Sequence, residues 1–296
     1  MKVLVIGGTG FLGAHVVRRL IVHGHDVAVY NRGRTTAALP ASVRRIRCPD
    51  GPLPIRTFVP AVHEFAADVV VHTVAMGEPD SLAAREAFTG RVGRMVLIGS
   101  GDVYQEYGRL KRLESGPAAS APLTEQSPLR TVLFPYRGSA SSKEALEFWY
   151  EKILAERVVL ADPKLSGTVL RLPKLYGPGN NQDLATVFRF RNYPNWRWTH
   201  GFVVNVAEAV AIAATHPAAR GQIFNLGEAE TPTVAERLAR LPPSEFAAGA
   251  FDDMDFAHNV AMDTRRVREI LGYRDLVPED EAMRRTLAGD FQDLLS

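Results

Sequence analysis

The sequence predicts an α/β chain, a doubly wound parallel sheet with a smaller C-terminal lobe, and three observations carry that reading. Short runs of aliphatic and β-branched residues alternate along the chain with stretches whose apolar residues recur at helical spacing. The runs are apolar throughout rather than at every second residue, as parallel strands buried on both faces are. The first run passes through a cluster of glycines directly into the first helical stretch.

Val3-Leu4-Val5-Ile6 is the first strand. From Phe11 to Val22 the residues Phe11, Leu12, Val16, Leu20 and Ile21 share one face, with Arg18 and Arg19 between them, so a helix is expected there that Gly24 stops. Asp26 to Tyr30 supplies the second strand, and further strands are expected at 43–48, 68–72, 94–99, 167–171 and 222–225. Right-handed crossovers between such strands leave ligand at their carboxyl ends, near the switch point of the sheet. Two stretches break the rhythm. Residues 115–128 hold Gly116, Pro117, Pro122 and Pro128 and read as a long loop, a lid or a plain surface excursion. Beyond Gly177, Pro, Asn and aromatic residues precede a helical tail. The expected division is a sheet domain of 1–176 to which 200–226 returns, and a smaller lobe of 177–199 and 227–296.

Composition narrows the function classes. Of 296 residues, 35 are Lys or Arg and 33 are Asp or Glu, a formal charge of +2 that gives little long-range field for nucleic acid or anionic membranes. No nucleic-acid partner is expected. Cys48 is the only cysteine, which excludes an intrachain disulfide and a thiolate metal cluster. No His/Asp/Glu spacing suggests a metal site, and His15, His23 and His25 read as structural. The apolar run at the amino terminus is too short for a signal-peptide core, and no later segment is long and uncharged enough to span a membrane. A soluble, cytoplasmic protein is expected.

Gly7-Gly8-Thr9-Gly10-Phe11-Leu12-Gly13 lies between the first strand and the first helix, the context in which such glycines bind a dinucleotide. Gly7 permits the tight turn, Gly10 lets a pyrophosphate approach the backbone, and Gly13 allows helix to pack on sheet. The unpaired N–H groups at the helix start suit the phosphate charge. The second strand ends Asn31-Arg32-Gly33-Arg34, without the carboxylate that an NAD enzyme places on the ribose 2′-hydroxyl. A guanidinium there suits a 2′-phosphate, so NADP is expected ahead of NAD, read by Arg32 with Arg34 and Asn31.

With these motifs the chain resembles the extended and atypical short-chain dehydrogenase/reductase superfamily, and within it the NAD-dependent epimerase/dehydratase family. Asp68 to Ala75 is similar to that family's fourth strand leading onto the cofactor, Ile98 to Tyr104 to its serine-bearing fifth strand, Leu170 to Gly179 to the signature after the sixth, and Lys152 to Arg157 to the helix with the active-site lysine. The resemblance implies a Rossmann fold with a substrate-binding lobe. It also implies a nucleotide sugar or similar polyhydroxylated small molecule as substrate, for epimerisation, dehydration or reduction. The family's common two-helix dimer makes a homodimer the implied assembly. Ser100 takes the place of the residue that holds the reacting hydroxyl, Ala75 and the backbone at Pro173 lie along the cofactor, and Lys152 positions it. Arg197, in the arginine-led strand Trp196 to Ala207, takes the place that pairs with a substrate phosphate, with Tyr104 and Asn180 as further substrate contacts.

The usual tyrosine stands four residues before the lysine; here that position is Phe148, which exchanges no proton. A phenol of pKa about 10 needs a neighbouring cation to ionise near neutrality. Tyr150 is two residues before Lys152, about 200° around a regular helix. Either the helix begins late and Tyr150 reaches the nicotinamide, or another group exchanges the proton. Asp102, two residues after Ser100 where the family's dehydratases carry a carboxylate, is the substitute. A dinucleotide-binding regulator or an RNA-binding relative without redox chemistry is the alternative that Phe148 supports.

Overall fold

The computed structural model describes residues 1–35, 37–51, 53–291 and 293. Its strands are β1 (Lys2–Ile6), β2 (Asp26–Asn31), β3 (Arg44–Arg47), β4 (Val69–His72), β5 (Arg94–Ser100), β6 (Thr168–Leu172), β7 (Lys174–Tyr176), β8 (His200–Phe202) and β9 (Ile223–Asn225). Seven of them form one sheet in the order β3-β2-β1-β4-β5-β6-β9, and β7 and β8 pair in parallel as a second, two-stranded sheet. In the large sheet β1 lies in parallel register with β2 on one side and β4 on the other, Val3 opposite Val27 and Val69. The strand order reverses there, so the turn after β1 opens at the switch point. Every strand of the expected large sheet is present. The pairing of β7 with β8 was not expected; β8 falls within the strand implied at 196–207 but begins at His200, after Arg197, and the helix that follows starts at Val203.

The chain divides into two compact units, residues 1–100, 133–171 and 207–223 in the first and 101–132, 172–206 and 224–296 in the second. This division differs from the one read in the sequence, chiefly at 101–132. Long-range partners decide it. Leu110 and Tyr107 belong to the aromatic core of the second unit, with Phe190, Trp196, Val234 and Val260. Leu123 bridges to Met262, and Glu106 bonds His258 at 2.9 Å.

The core of the first unit is the sheet itself. Leu4, Ile6, Ala28, Val70, Met95, Leu97 and Val169 are fully buried and pack with Phe88, Ala155 and Val159. The first helix spans Phe11–Val22, as its periodicity predicts, and ends where Gly24 takes φ +78° and donates its N–H to the Ile21 carbonyl. Among the described residues, no helix is long and apolar enough to cross a membrane.

Candidate active site

The glycine turn is built so that side chains are excluded from it. Gly7 adopts φ +85°, and a Cβ at Gly13 would stand 2.3 Å from the Gly7 carbonyl oxygen, so the helix touches the turn backbone to backbone. Gly10 caps the helix without a side-chain hydrogen bond, and the first turn carries no acidic residue. The leading N–H groups of a 12-residue helix are thus left to an anion. Thr9 of the turn is hydrogen-bonded to Thr35 beyond β2, Oγ1 to Oγ1, at 2.8 Å. At the end of β2, Asn31 Oδ1 accepts the Gly33 N–H at 3.0 Å, Arg32 donates to the Gly51 carbonyl at 3.1 Å, and Arg34 is exposed. These features fit a dinucleotide: a cradle that any Cβ would fill, a helix start free of competing carboxylate, and guanidinium beyond the second strand.

Tyr150 and Lys152 owe their positions to one irregular stretch. The short helix Leu146–Trp149 carries Phe148 and stops before Tyr150, which is extended (φ −65°, ψ 117°). The Glu151 N–H donates to the Met76 carbonyl at 2.9 Å, and Gly77 has no side chain to keep the Trp149 carbonyl away, since a Cβ there would lie 2.8 Å from that oxygen. The next helix then begins at Lys152 and runs to Leu160, capped by the Glu151 carboxylate, which accepts the Ile153 N–H at 2.9 Å and the Phe134 N–H at 2.5 Å. The 200° separation of a continuous helix therefore does not apply. Lys152 is buried, with its ammonium donating to the Ile98 carbonyl at 2.9 Å and to the Ala75 carbonyl, and it lies 5.7 Å from the centre of the Tyr150 ring. Tyr136 packs edge-on to Tyr150 at 5.2 Å. Ser100 is the half-buried last residue of β5.

Asp102 lies in the 3₁₀ turn Gly101–Val103, in the second unit, 6% exposed, and its backbone carbonyl accepts from Arg130 at 2.5 Å. Pro173 stands between β6 and β7, against Gly201 and Gly227. Arg197 lines a cavity of about 690 Å³ in the second unit together with Thr231, Asn259, Arg240 and Arg265. Its guanidinium donates to the Thr231 carbonyl at 2.6 Å and faces Glu236 at 3.5 Å. Tyr104, expected as a substrate contact, is fully buried, and its hydroxyl donates to Asn225 Oδ1 at 2.6 Å. Asn180 is exposed, closing a turn with Gly177 through paired backbone bonds.

Sequence reasoning missed Glu151 and Gly77, because their work is done across 74 positions of chain in backbone contacts that no local pattern records. It also missed His72, the last residue of β4. His72 is fully buried, and neither ring nitrogen has a hydrogen-bond partner among the described residues. Burial, reinforced by the Lys152 charge, holds its pKa down at about 3. The neutral ring is the folded form, whereas the unfolded chain takes up a proton below pH about 6.5. Stability from this group is therefore present above pH about 6.5 and drains away as pH falls toward about 3, by at most about 1.4 kcal/mol per unit. Urea midpoints at about pH 7 and about pH 4.5, on either side of the unfolded-state pKa, check this. His72→Leu is expected to show a shallower acid loss than the parent, and equal slopes would refute the assignment.

A model of the NAD dependent epimerase/dehydratase family matches residues 3–227. The chain is 27% identical over 186 residues to 2'-dehydrokanamycin reductase of Streptomyces kanamyceticus, covering 62% of this chain and 45% of that protein. It is 26% identical over 162 residues to UDP-glucose 4-epimerase of Lactobacillus helveticus, covering 51% and 48%. The chain thus spans about half the length of these relatives. Among solved structures, MoeE5 in complex with UDP-glucose and NAD is similar at TM-score 0.69 and 21% identity, over 99% of this chain and all of that one. The UDP-glucose 4-epimerase of Thermus thermophilus, in complex with NAD, is similar at TM-score 0.68 and 20% identity, over 97% and 98%. At these identities the structures bear out the fold, a Rossmann sheet flanked by helices.

Proposed function

The chain belongs to the NAD dependent epimerase/dehydratase family, and we propose from that premise that it is an NADP-using oxidoreductase, epimerase or dehydratase acting on a nucleotide sugar or similar polyhydroxylated small molecule. The observation that carries the reading is the late start of the helix at Lys152, which leaves Tyr150 extended with a buried ammonium beside its ring. Phe148 then vacates no role, and the regulator reading loses its main support.

The turn at Gly7 to Gly13 and the start of the first helix would hold the coenzyme pyrophosphate, Ala75 would lie along the coenzyme, and Arg32 with Arg34 and Asn31 would read the adenosine ribose. A nicotinamide held there would supply the acceptor and donor for the hydride of a substrate carbinol carbon. Ser100 orients the substrate oxygen. Tyr150 exchanges the hydroxyl proton at its phenolic oxygen, and the Lys152 ammonium, fixed by two backbone carbonyls, lowers the free energy of the phenolate. Asp102 is less suited to that step, being nearly enclosed in its turn. The cavity beside Arg197 has the volume of a small-ligand site, and its three arginines are matched by Glu230, Glu236 and Asp263, so a substrate phosphate there would have to displace Glu236 from Arg197.

Calorimetric titration of NADP⁺ and NAD⁺, followed by turnover assays with UDP-sugars and aminoglycoside-type ketones, tests the reading. Arg32→Asp is expected to weaken NADP⁺ binding about tenfold or more relative to NAD⁺, since a carboxylate repels the 2′-phosphate. Failure of both coenzymes to bind would remove the proposed chemistry altogether.

A further inference from the structure

The strand β3 carries Arg44, Arg45 and Arg47 around a single buried Ile46. It is the edge of the large sheet, where charged side chains also serve to discourage pairing with another chain. Two of the arginines do something more specific. Arg47 stands in register opposite Asn31 of β2, and its guanidinium lies over Gly33: a Cβ built there would meet Arg47 Nη1 at 3.0 Å. Gly33 takes φ +70°, turned by the Asn31 side chain, so the turn after β2 presents bare backbone to that guanidinium. Arg45, two residues back on the same face of the strand, donates to the Ala37 carbonyl at 3.2 Å.

Asn31, Gly33, Thr35, Arg45 and Arg47 line one recess of about 400 Å³. Thr35 is the residue hydrogen-bonded to Thr9 of the glycine turn, so one wall of the recess is tied to that turn. No carboxylate lines it, and among the described residues neither Arg45 nor Arg47 has an ion-pair partner, in contrast to Arg44, which faces Glu64 at 3.7 Å. Uncompensated guanidinia around a recess, one of them packed on a glycine and pointing at no acid, suit a dianion with several acceptor oxygens.

We propose that Arg47, with Arg45 behind it, is a reader of the coenzyme 2′-phosphate, so that the choice of NADP over NAD is made from β3 as well as from the Arg32 turn. The inference rests on the proposed NADP reading and adds a determinant that a β2-centred reading lacks. Bidentate recognition by Arg47 favours NADP⁺ over NAD⁺, while contacts shared by the two coenzymes are untouched.

The test is isothermal titration of the full chain with NADP⁺, NAD⁺ and adenosine 2′,5′-bisphosphate, for the parent, Arg47→Ala, Arg47→Lys and Arg32→Ala, with the melting temperature of each variant recorded without ligand. For Arg47→Ala the expected result is about a tenfold rise in Kd for NADP⁺ and the bisphosphate, equivalent to about 1.4 kcal/mol. The NAD⁺ Kd stays within about twofold, and Arg47→Lys recovers part of the loss. If the parent prefers NADP⁺ and Arg32→Ala loses that preference while Arg47→Ala keeps it, Arg47 is an edge-strand guard and this inference alone falls. If Arg47→Ala weakens both coenzymes equally, or shifts only the melting temperature, it falls as well. A parent that binds NADP⁺ and NAD⁺ alike overturns the NADP reading and this inference together.

Discussion

Replacing Tyr150 by Phe is expected to cut turnover about 10²- to 10⁴-fold while leaving the coenzyme Kd within about a factor of two, the signature of a lost proton exchange rather than lost binding. The phenolic oxygen is the one heavy atom removed, and the ring packed edge-on with Tyr136 is retained. What makes the effect large is the neighbourhood. Lys152 is buried and pinned by the carbonyls of Ile98 and Ala75, which places a fixed positive charge 5.7 Å from the centre of the Tyr150 ring. A phenol needs a shift of roughly three pKa units to act near neutrality, about 4 kcal/mol, and the proposed role asks the Lys152 ammonium to supply it. Single-turnover rates for Tyr150→Phe, Asp102→Asn and the parent decide between the two acids. Should the tyrosine variant keep its rate while the aspartate variant loses it, the proton belongs to Asp102 and the role given to the late helix start is wrong.

Arg237→Met is expected to destabilise the second unit by about 3–5 kcal/mol, seen as a lower urea midpoint with the slope unchanged. Arg237 is 2% exposed and binds two carboxylates, Glu228 through both of its oxygens, one of them at 3.0 Å, and Glu279 at 2.5 Å, while also donating to the Trp198 carbonyl at 3.2 Å. Glu228 in turn accepts the His200 N–H at 3.0 Å, which ties β8 to the helices Val234–Ala239 and Glu279–Ala288. Burial pushes Glu228 up to about 8 even against the pull of Arg237. Among the described residues, removing the guanidinium therefore leaves the buried Glu228 with only the His200 N–H and the partly exposed Glu279 with only the distant Arg240, and that penalty, not the lost attraction, sets the size of the effect. Arg237→Met combined with Glu228→Gln is expected to recover a substantial part of the loss. A single variant within about 1 kcal/mol of the parent would show the cluster to be hydrated and the account mistaken.

The limits of legibility in this chain have a physical pattern. Strand and helix alternation, the bounds of the first helix at Phe11 and Val22 and the glycine cradle all rest on neighbours within a few residues, where apolar period and backbone sterics act, and these were readable directly. Lys152 was found by resemblance, yet its relation to Tyr150 stayed open because the rule of four residues presumes an unbroken helix. The break is imposed by Met76 and Gly77, in contacts that span more than 70 positions of chain and leave no periodic trace. The same applies to Tyr104, whose hydroxyl is claimed by Asn225, and to residues 101–132, whose apolar side chains join a core assembled from the other end of the chain.

By itself, then, the amino-acid order determined the parallel sheet, the glycine turn and the basic end of the second strand, because each is specified by local steric and charge preferences. The tertiary structure alone decided that Tyr150 precedes its helix beside Lys152, that Arg47 leans over Gly33, and that Arg237 is enclosed by two acids. Those placements depend on which distant backbone groups meet, and only the closed fold brings them within bonding distance.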